Sequence, residues 1–120
     1  MDELEALREE QTASREIFDG KILHVFEDTV RLPNGQPSTR EYLRHVGAVC
    51  VIPVLEDGSV LIERQYRYPV GQVLTEIPAG KLDSREEEHL LAAQRELREE
   101  TGAVADEWQS LGIFYPACAY

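Results

Sequence analysis

Positive charge is scarce in this sequence. Its 120 residues include 12 Lys and Arg against 23 Asp and Glu, which gives a formal net charge of -11 at pH 7. Because binding to a nucleic acid backbone or to an anionic membrane requires a basic surface, we expect the protein to bind neither. The same charge would repel a phosphorylated substrate unless cations intervene.

The sequence also has few cysteines and no long apolar run. Cys50 and Cys118 are its two cysteines, and Cys50 lies within the apolar run VGAVCVIPVL. That position predicts a buried free thiol more readily than half of a disulfide. No stretch approaches the roughly 18–20 apolar residues of a membrane span, and no signal peptide is visible. We therefore expect a cytoplasmic protein.

What the sequence does contain is typical of one globular domain. Hydrophobic residues make up 42% of the chain and charged residues 29%, a balance found in folded rather than disordered proteins. A chain of about this length forms one domain with a modest core. We find no internal repeat and no low-complexity stretch.

The N-terminal third carries the signals of a β-hairpin. Residues 1–14 are interpreted as a loose tail or a short helix. After them, Asn34-Gly35 predicts a turn between a strand near residues 22–28 and a second strand over residues 39–46. A two-stranded hairpin is only marginally stable by itself. It should therefore dock on the rest of the chain or on a second copy of it.

The remainder predicts more strands and one helix. Asp57-Gly58 predicts a turn between a strand over residues 48–55, buried on both faces, and a return strand over residues 60–67. Two shorter strands are predicted over residues 73–77 and 111–115, with a helix between them. This order of elements indicates an α+β protein with a helix packed on a sheet.

The predicted helix carries an unusual concentration of like charge. Asp83 or Ser84 can cap its start, and Gly102 ends it. Glu99 and Glu100 lie within roughly 60° of Glu96 around the helix axis. Carboxylates at these spacings repel one another, and the helix dipole disfavours negative charge near the C-terminus. A helix with a purely structural role would gain from lysine at these positions.

Two interpretations of this acidic face remain open. It could be a solvated surface stabilised by Arg95 and Arg98. Alternatively, divalent cations could occupy it, since ligand sets made only of oxygen suit Mg²⁺ or Mn²⁺. The preceding EIPAG segment favours the second interpretation, because a glycine-containing loop next to the helix can bring a backbone carbonyl to the same metal.

The segment GKLDSREEEHLLAAQRELREETGA resembles the Nudix box, Gly-x5-Glu-x7-Arg-Glu-apolar-x-Glu-Glu-x-Gly-apolar. The matching positions from the arginine onward are Arg95, Glu96, Leu97, Glu99, Glu100, Gly102 and Ala103. The chain is one residue longer than the pattern between Gly80 and Arg95. Because a helix would rotate its face by about 100° to absorb that residue, we place the insertion in the loop KLDSR. Glu87 then becomes the box glutamate, with Glu86 as the alternative.

The resemblance implies an architecture and a subfamily. The segments GAVCVIPV, VLIERQYRYPV and EIPAGKLD are similar to those of ADP-ribose pyrophosphatases and related ADP-sugar diphosphatases. The implied fold is an α+β Nudix-type mixed sheet with a catalytic helix packed on it, preceded by an N-terminal β-hairpin domain. We accordingly expect an acidic tail and dimerisation hairpin over residues 1–46 and a Nudix domain over residues 47–120.

The resemblance also assigns roles to individual residues. Catalytic positions correspond to Glu87, Arg95, Glu96, Glu99 and Glu100. The metal ligands would be Glu96, Glu99, Glu100 and the backbone carbonyl of Ala79, and they would hold roughly two or three Mg²⁺ or Mn²⁺ ions. Substrate-binding positions correspond to Arg40, Glu41, Arg67 and Glu76. Without the resemblance, Arg40 would be interpreted as a surface residue on a strand and Arg67 as a solvated edge residue.

The reaction implied is hydrolysis of ADP-ribose, or of a similar nucleoside diphosphate sugar, to AMP and ribose 5-phosphate. The alternative is a Nudix-like module that binds a nucleotide without cleaving it, or an inactive fragment. The family also implies a homodimer in which the N-terminal strands are exchanged. We further expect that these residues are part of a longer chain, because no residue here matches the family's later glutamate, a proposed general base.

Overall fold

The computed structural model describes residues 2–120. Its regular elements are a 3-10 turn (Glu5–Leu7), the strands β1 (Glu10–Asp19), β2 (His24–Arg31), β3 (Pro37–Arg44), β4 (Ala48–Cys50), β5 (Glu63–Arg67), β6 (Gln72–Glu76) and β7 (Ala79–Lys81), and the helix α1 (His89–Thr101). They confirm the predicted α+β class. The chain divides into two compact units, one comprising the residues up to His45 together with Gly112–Tyr120 and the other Val46–Leu111. Within residues 2–120, no helix has both the length and the apolar character needed to cross a bilayer.

The first unit is a three-stranded antiparallel sheet in the order β1-β2-β3. The predicted hairpin corresponds to β2 and β3, but β1 was not predicted. The interpretation of residues 1–14 as a loose tail or short helix holds for residues 2–9, which are exposed and include the 3-10 turn, and it is wrong from Glu10 onward; residue 1 lies outside the described residues. Every residue of β1 is exposed, so no alternation of apolar and polar side chains marks it. Its pairing with β2, and not its own pattern, makes it a strand.

Asp28 is a buried carboxylate in the middle of this sheet. The Ser14 hydroxyl on β1 donates a hydrogen bond to Asp28 Oδ1 at 2.7 Å, and the Tyr42 hydroxyl on β3 donates to Oδ2 at 2.8 Å. A buried charge of this kind is tolerated when its oxygens are satisfied. The carboxylate therefore links all three strands.

The strand predicted over residues 111–115 does not form. Leu111, Ile113 and Phe114 are 69–79% exposed. Apolar, β-prone side chains do not make a strand without a partner that completes the hydrogen-bond ladder. The first unit takes up the end of the chain through another contact, in which the Leu43 N–H donates to the Tyr120 carbonyl at 2.8 Å.

The second unit contains two short antiparallel pairs, β4 with β7 and β5 with β6. The prediction of one doubly buried strand over residues 48–55 is wrong. The strand ends at Cys50, which is an exposed free thiol and not a buried one. One further backbone bond follows the strand, since the Val51 N–H donates to the Pro78 carbonyl at 2.9 Å. Pro53 has no N–H to continue the ladder.

Helix α1 packs against β4 and β7. The buried side chains of this unit are Val51, Pro78, Leu82, Ala92, Glu96 and Leu97. The predicted start at Asp83 or Ser84 is wrong, because the helix begins at His89 after Glu88, which makes no side-chain capping bond. The predicted end is confirmed: Gly102 takes the left-handed φ of 75° that glycine adopts readily, and its N–H caps the helix on the Arg98 carbonyl.

Candidate active site

Glu96 lies on the inner face of α1, with its carboxylate directly against the backbone of β7. A Cβ built on Gly80 would overlap the carboxylate carbon and both oxygens of Glu96. Real Cβ atoms do not approach other atoms so closely, and the backbone of β7 cannot move away like the end of a flexible side chain. The glycine that opens the Nudix box is therefore what allows Glu96 to sit between the helix and the strand.

Arg95 forms ion pairs with carboxylates of the preceding loop and of helix α1. Its Nη2 lies 3.0 Å from Glu87 Oε1, and its Nη1 lies 2.9 Å from Glu96 Oε1 and 3.6 Å from Glu99 Oε2. Asp83 contributes a further contact at 3.5 Å. The hydrogen bond with Glu87 is the main reason why the pKa of Arg95 is raised. Arg95 is thus a permanently charged centre that fixes the carboxylates around it.

Glu87 makes two kinds of contact near the start of the helix. It accepts a hydrogen bond from the Asp83 backbone N–H at 2.7 Å and forms the ion pair with Arg95. The backbone bond first, and Arg95 second, lower the pKa of Glu87. Glu86, the alternative box glutamate, has an exposed side chain. The residue that contacts the box arginine is Glu87.

Glu100 faces away from Arg95, toward the strands. Its Oε2 accepts a hydrogen bond from the Ala79 backbone N–H at 3.2 Å. Its carboxylate also interacts with the Glu63 carboxyl. Burial, followed by the Glu100 contact and the charge of Glu76, raises the pKa of Glu63. Sequence reasoning missed Glu63, because the alternation within β5 shows which residues share a face but not that the Glu100 side chain acts on one of them.

The donor set suits a divalent metal ion, although the carboxylates do not converge as the side chains stand. Within the described residues, no group of three or more His, Cys, Asp or Glu side chains is arranged to hold an ion. Arg95 retains Glu96 and attracts Glu99, while Glu100 turns to Ala79 and Glu63. The side chain of Glu99 is 56% exposed and so can rotate. Oxygen donors on adjacent helical turns, next to the backbone of Ala79, are of the kind that a hard cation prefers.

Arg67 and Glu76 form a two-pronged ion pair on the β5–β6 hairpin. Arg67 Nε donates to Glu76 Oε2 at 2.7 Å, and Nη2 donates to Oε1 at 2.6 Å. The pair raises the pKa of Arg67 and lowers that of Glu76. Glu63 and Glu100 also act electrostatically on Arg67. A cation suited to phosphate therefore lies in the same charged cluster as a candidate metal ligand.

The other two predicted substrate residues lie in the first unit. Arg40 donates from Nε to Glu9 Oε1 at 2.9 Å and from Nη2 to Oε2 at 2.6 Å. This pair raises the pKa of Arg40 and lowers that of Glu9. Arg40 is opposite Asp28 and Glu41 is opposite Glu27 in the register of β2 and β3. The side chains of Arg40 and Glu41 therefore lie on opposite faces of this sheet.

Phe18 is an aromatic side chain that sequence reasoning did not identify. Its ring packs so closely on Gly20 that a Cβ there would lie 2.6 Å from the ring. The side chain nevertheless remains 55% exposed. An exposed ring held against a glycine is a suitable surface for stacking a planar base. The nearby glycine was the signal that could have drawn attention to it.

Two family profiles match the chain. The NUDIX domain matches residues 43–118, and the nucleoside diphosphate sugar hydrolase N-terminal domain matches residues 9–43. Because the first match alone covers more than half of the sequence, the chain belongs to the Nudix family. The resemblance based on the Nudix box is thereby confirmed.

Individual relatives agree with this membership. The chain is 40% identical over 112 residues to the ADP-ribose pyrophosphatase of Bacillus subtilis, a match that covers 93% of this chain and 60% of that protein. It is 43% identical over 109 residues to the methanol dehydrogenase activator of Bacillus methanolicus, with coverages of 90% and 58%. A crystal structure of an ADP compounds hydrolase gives a TM-score of 0.72 at 22% identity, covering 83% of this chain and 54% of that one. This likeness confirms the fold, and the chain spans less than two thirds of each relative.

Proposed function

We propose that the protein hydrolyses the diphosphate of ADP-ribose, or of a similar nucleoside diphosphate sugar, to AMP and ribose 5-phosphate with Mg²⁺. The observation that carries this proposal is the two-pronged pair of Arg67 with Glu76, which lies directly opposite Glu63 in the β5–β6 ladder, while Glu100 reaches the backbone of Ala79 on β7. An arginine suited to a diphosphate lies beside carboxylates suited to a metal ion. The similarity to the ADP-ribose pyrophosphatase of Bacillus subtilis supports ADP-ribose as the first substrate to test.

In this proposal, different residues of the second unit bind the metal ions and the diphosphate. Glu96, Glu99 and Glu100, with the backbone carbonyl of Ala79, would hold the divalent ions. Bound ions of this kind neutralise phosphate charge and lower the pKa of a coordinated water. Glu99, whose exposed side chain is free to turn from Arg95, would join this set, and Arg95 together with Glu87 would keep Glu96 in place. Arg67 binds and orients the diphosphate.

The first unit would complete the substrate pocket of a second copy of the chain. Phe18, Val25 and Leu43 lie side by side across β1, β2 and β3 in the register of the sheet. Phe18 is 55% exposed and Leu43 is 41% exposed, so that an apolar stripe crosses the sheet. Burying such a stripe favours association. In the resulting homodimer with exchanged N-terminal strands, the edge strand β3 would place Arg40 and Glu41, one on each face of the sheet, beside the partner's substrate, and Phe18 would stack on the base.

A hydrolysis screen of the full-length protein tests this function. ADP-ribose, ADP-glucose, GDP-mannose and NADH are incubated with and without Mg²⁺, and the products are identified by mass spectrometry. We expect Mg²⁺-dependent release of AMP and ribose 5-phosphate from ADP-ribose. Tight binding of ADP-ribose without turnover would instead support a non-catalytic nucleotide-binding module.

A further inference from the structure

Arg67 and Glu76 share a face of the β5–β6 ladder but lie at different levels along it. The register pairs Arg67 with Gln72 and pairs Glu76 with Glu63. Glu76 is thus four residues beyond the cross-strand neighbour of Arg67, a distance of roughly 13 Å along the strand. The two side chains can meet only if Arg67 runs along the face of the sheet toward Glu63. Glu76 therefore determines where this guanidinium lies.

The pair leaves part of the arginine available to another acceptor. A guanidinium has five N–H donors in a planar fork. The hydrogen bonds recorded for Arg67 in the described residues use Nε and Nη2, and both go to Glu76. The donors on Nη1 remain, together with the second donor on Nη2. These form the edge of the fork that can bind two oxygens of a phosphate.

The exposure of Arg67 explains why its ion pair with Glu76 matters for substrate binding. The side chain of Arg67 is 42% exposed, whereas that of Glu76 is only 20% exposed. A long, half-exposed arginine without an anchor samples many rotamers, and ordering it upon binding costs free energy. Glu76 is the more deeply buried partner and lies on a paired strand, so it can serve as the anchor.

We propose that Glu76 is a positioning residue that holds Arg67 with one guanidinium edge free for the substrate diphosphate beside Glu63 and Glu100. This inference rests on the proposed function, because it assigns Arg67 to the diphosphate. It changes the role expected of Glu76, which acts through Arg67 and not by direct contact with the substrate.

A double-mutant cycle in the full-length protein measures this dependence. Glu76→Ala, Arg67→Ala and the double variant are compared by the KM and kcat for ADP-ribose at saturating Mg²⁺. We expect Glu76→Ala to raise KM by roughly threefold to tenfold, the cost of ordering one long side chain, with a smaller change in kcat. In the Arg67→Ala background the same substitution should have no further effect. Equal effects of Glu76→Ala in both backgrounds would overturn the proposal.

A second measurement does not depend on catalysis. The exchange with water of the Arg67 Nε–H is followed by NMR without ligand, and its signal is assigned by its loss in Arg67→Lys. We expect slow exchange in the wild-type protein and at least tenfold faster exchange in Glu76→Gln, which keeps the size of the side chain. The matched control is Glu5→Gln, which removes the carboxylate from the exposed Arg8–Glu5 pair and should leave the Arg67 signal unchanged. Unchanged exchange in Glu76→Gln would overturn the proposal.

Failure of the proposed function can be told apart from failure of this inference. If the wild-type protein hydrolyses no nucleoside diphosphate sugar, the proposed function is wrong. The role of Glu76 is then decided by two measurements. One is the exchange rate of the Arg67 Nε–H in the wild-type protein and in Glu76→Gln. The other is the affinity for inorganic pyrophosphate with Mg²⁺ in the wild-type protein, Glu76→Ala, Arg67→Ala and the double variant. A non-additive loss of pyrophosphate affinity would support the positioning role, and an additive loss would overturn it.

Discussion

The Glu96 carboxylate and the Cα of Gly80 are so close that no side chain larger than hydrogen fits between them. This contact joins helix α1 to β7 and determines how closely the Glu96 carboxylate approaches the strand. The glycine of the Nudix box has its role here in packing, since Gly80 is not among the glycines with positive φ.

The first prediction follows from this contact. Gly80→Ala should destabilise the protein by about 1–3 kcal/mol, the usual cost of overpacking, and should abolish Mg²⁺-dependent hydrolysis by displacing Glu96. Urea denaturation and turnover of ADP-ribose measure the two effects. In Gly80→Ala combined with Glu96→Ala, stability should recover while activity stays lost. A double variant as unstable as Gly80→Ala would contradict the assigned overlap.

The second prediction concerns Glu100. Glu100→Gln preserves volume but removes the charge that faces Glu63. We expect turnover to fall at least a hundredfold, and we expect the metal-free protein to be unchanged or slightly more stable because like-charge repulsion is relieved. Addition of Mg²⁺ should raise the melting temperature of the wild-type protein more than that of the variant. Unchanged turnover at saturating Mg²⁺ would exclude Glu100 as a metal ligand.

The third prediction is a pH dependence at Glu87. Its pKa is below the ordinary value of 4.5 because of the Asp83 N–H and Arg95. A carboxylate with a lowered folded-state pKa stabilises the protein above its unfolded-state pKa, and this contribution is lost as the pH falls through the folded-state value. The difference in stability between the wild-type protein and Glu87→Gln should therefore be full at neutral pH and shrink below about pH 4.5.

Glu86→Gln is the matched control for this comparison, since Glu86 is the exposed neighbour in the same loop. Thermal denaturation of the three proteins from pH 7 to pH 3 gives the required curves. If Glu86→Gln showed the larger, pH-dependent loss, the assignment of Glu87 as the residue paired with Arg95 would be wrong.

The fourth prediction concerns assembly. Leu43→Asp places a charge in the apolar stripe of Phe18, Val25 and Leu43 and should convert a dimer into a monomer at micromolar concentration. Leu7→Asp introduces the same charge in the 3-10 turn, where Leu7 is 73% exposed, and should remain dimeric. Sedimentation velocity distinguishes the two states. A compact wild-type monomer would refute the exchanged dimer.

Local sequence signals predicted some of the secondary structure correctly. The β2–β3 hairpin follows from the Asn34-Gly35 turn, and the end of α1 at Gly102 follows from the preference of glycine for positive φ. The position of the three α1 glutamates near one another on the helix surface follows from their spacing in the sequence. Two of the wrong strand predictions have a common cause, which is not local. The strand β1 and the absence of a strand over residues 111–115 depend on whether a partner backbone is present, and a segment's own residues do not reveal that.

The start of α1 illustrates the same limit. Asp83 and Ser84 have good capping chemistry, yet the helix begins five residues after Ser84. Glu87 is engaged by Asp83 and Arg95 in the loop, so that these residues satisfy one another without forming a first helical turn. Competing tertiary contacts therefore outweighed the local capping preference.

By itself, the sequence determined the family and the acidic face of the helix, because these depend on residue type and spacing along one element, and it yielded predictions for the residues that would hold metal and substrate. Only the tertiary structure decided which of those residues meet. It brought Glu63 on β5 to Glu100 on α1, laid Arg67 along the sheet to Glu76, and set Glu96 against Gly80. Contacts between side chains far apart in the chain depend on strand register and helix packing, which no local pattern encodes.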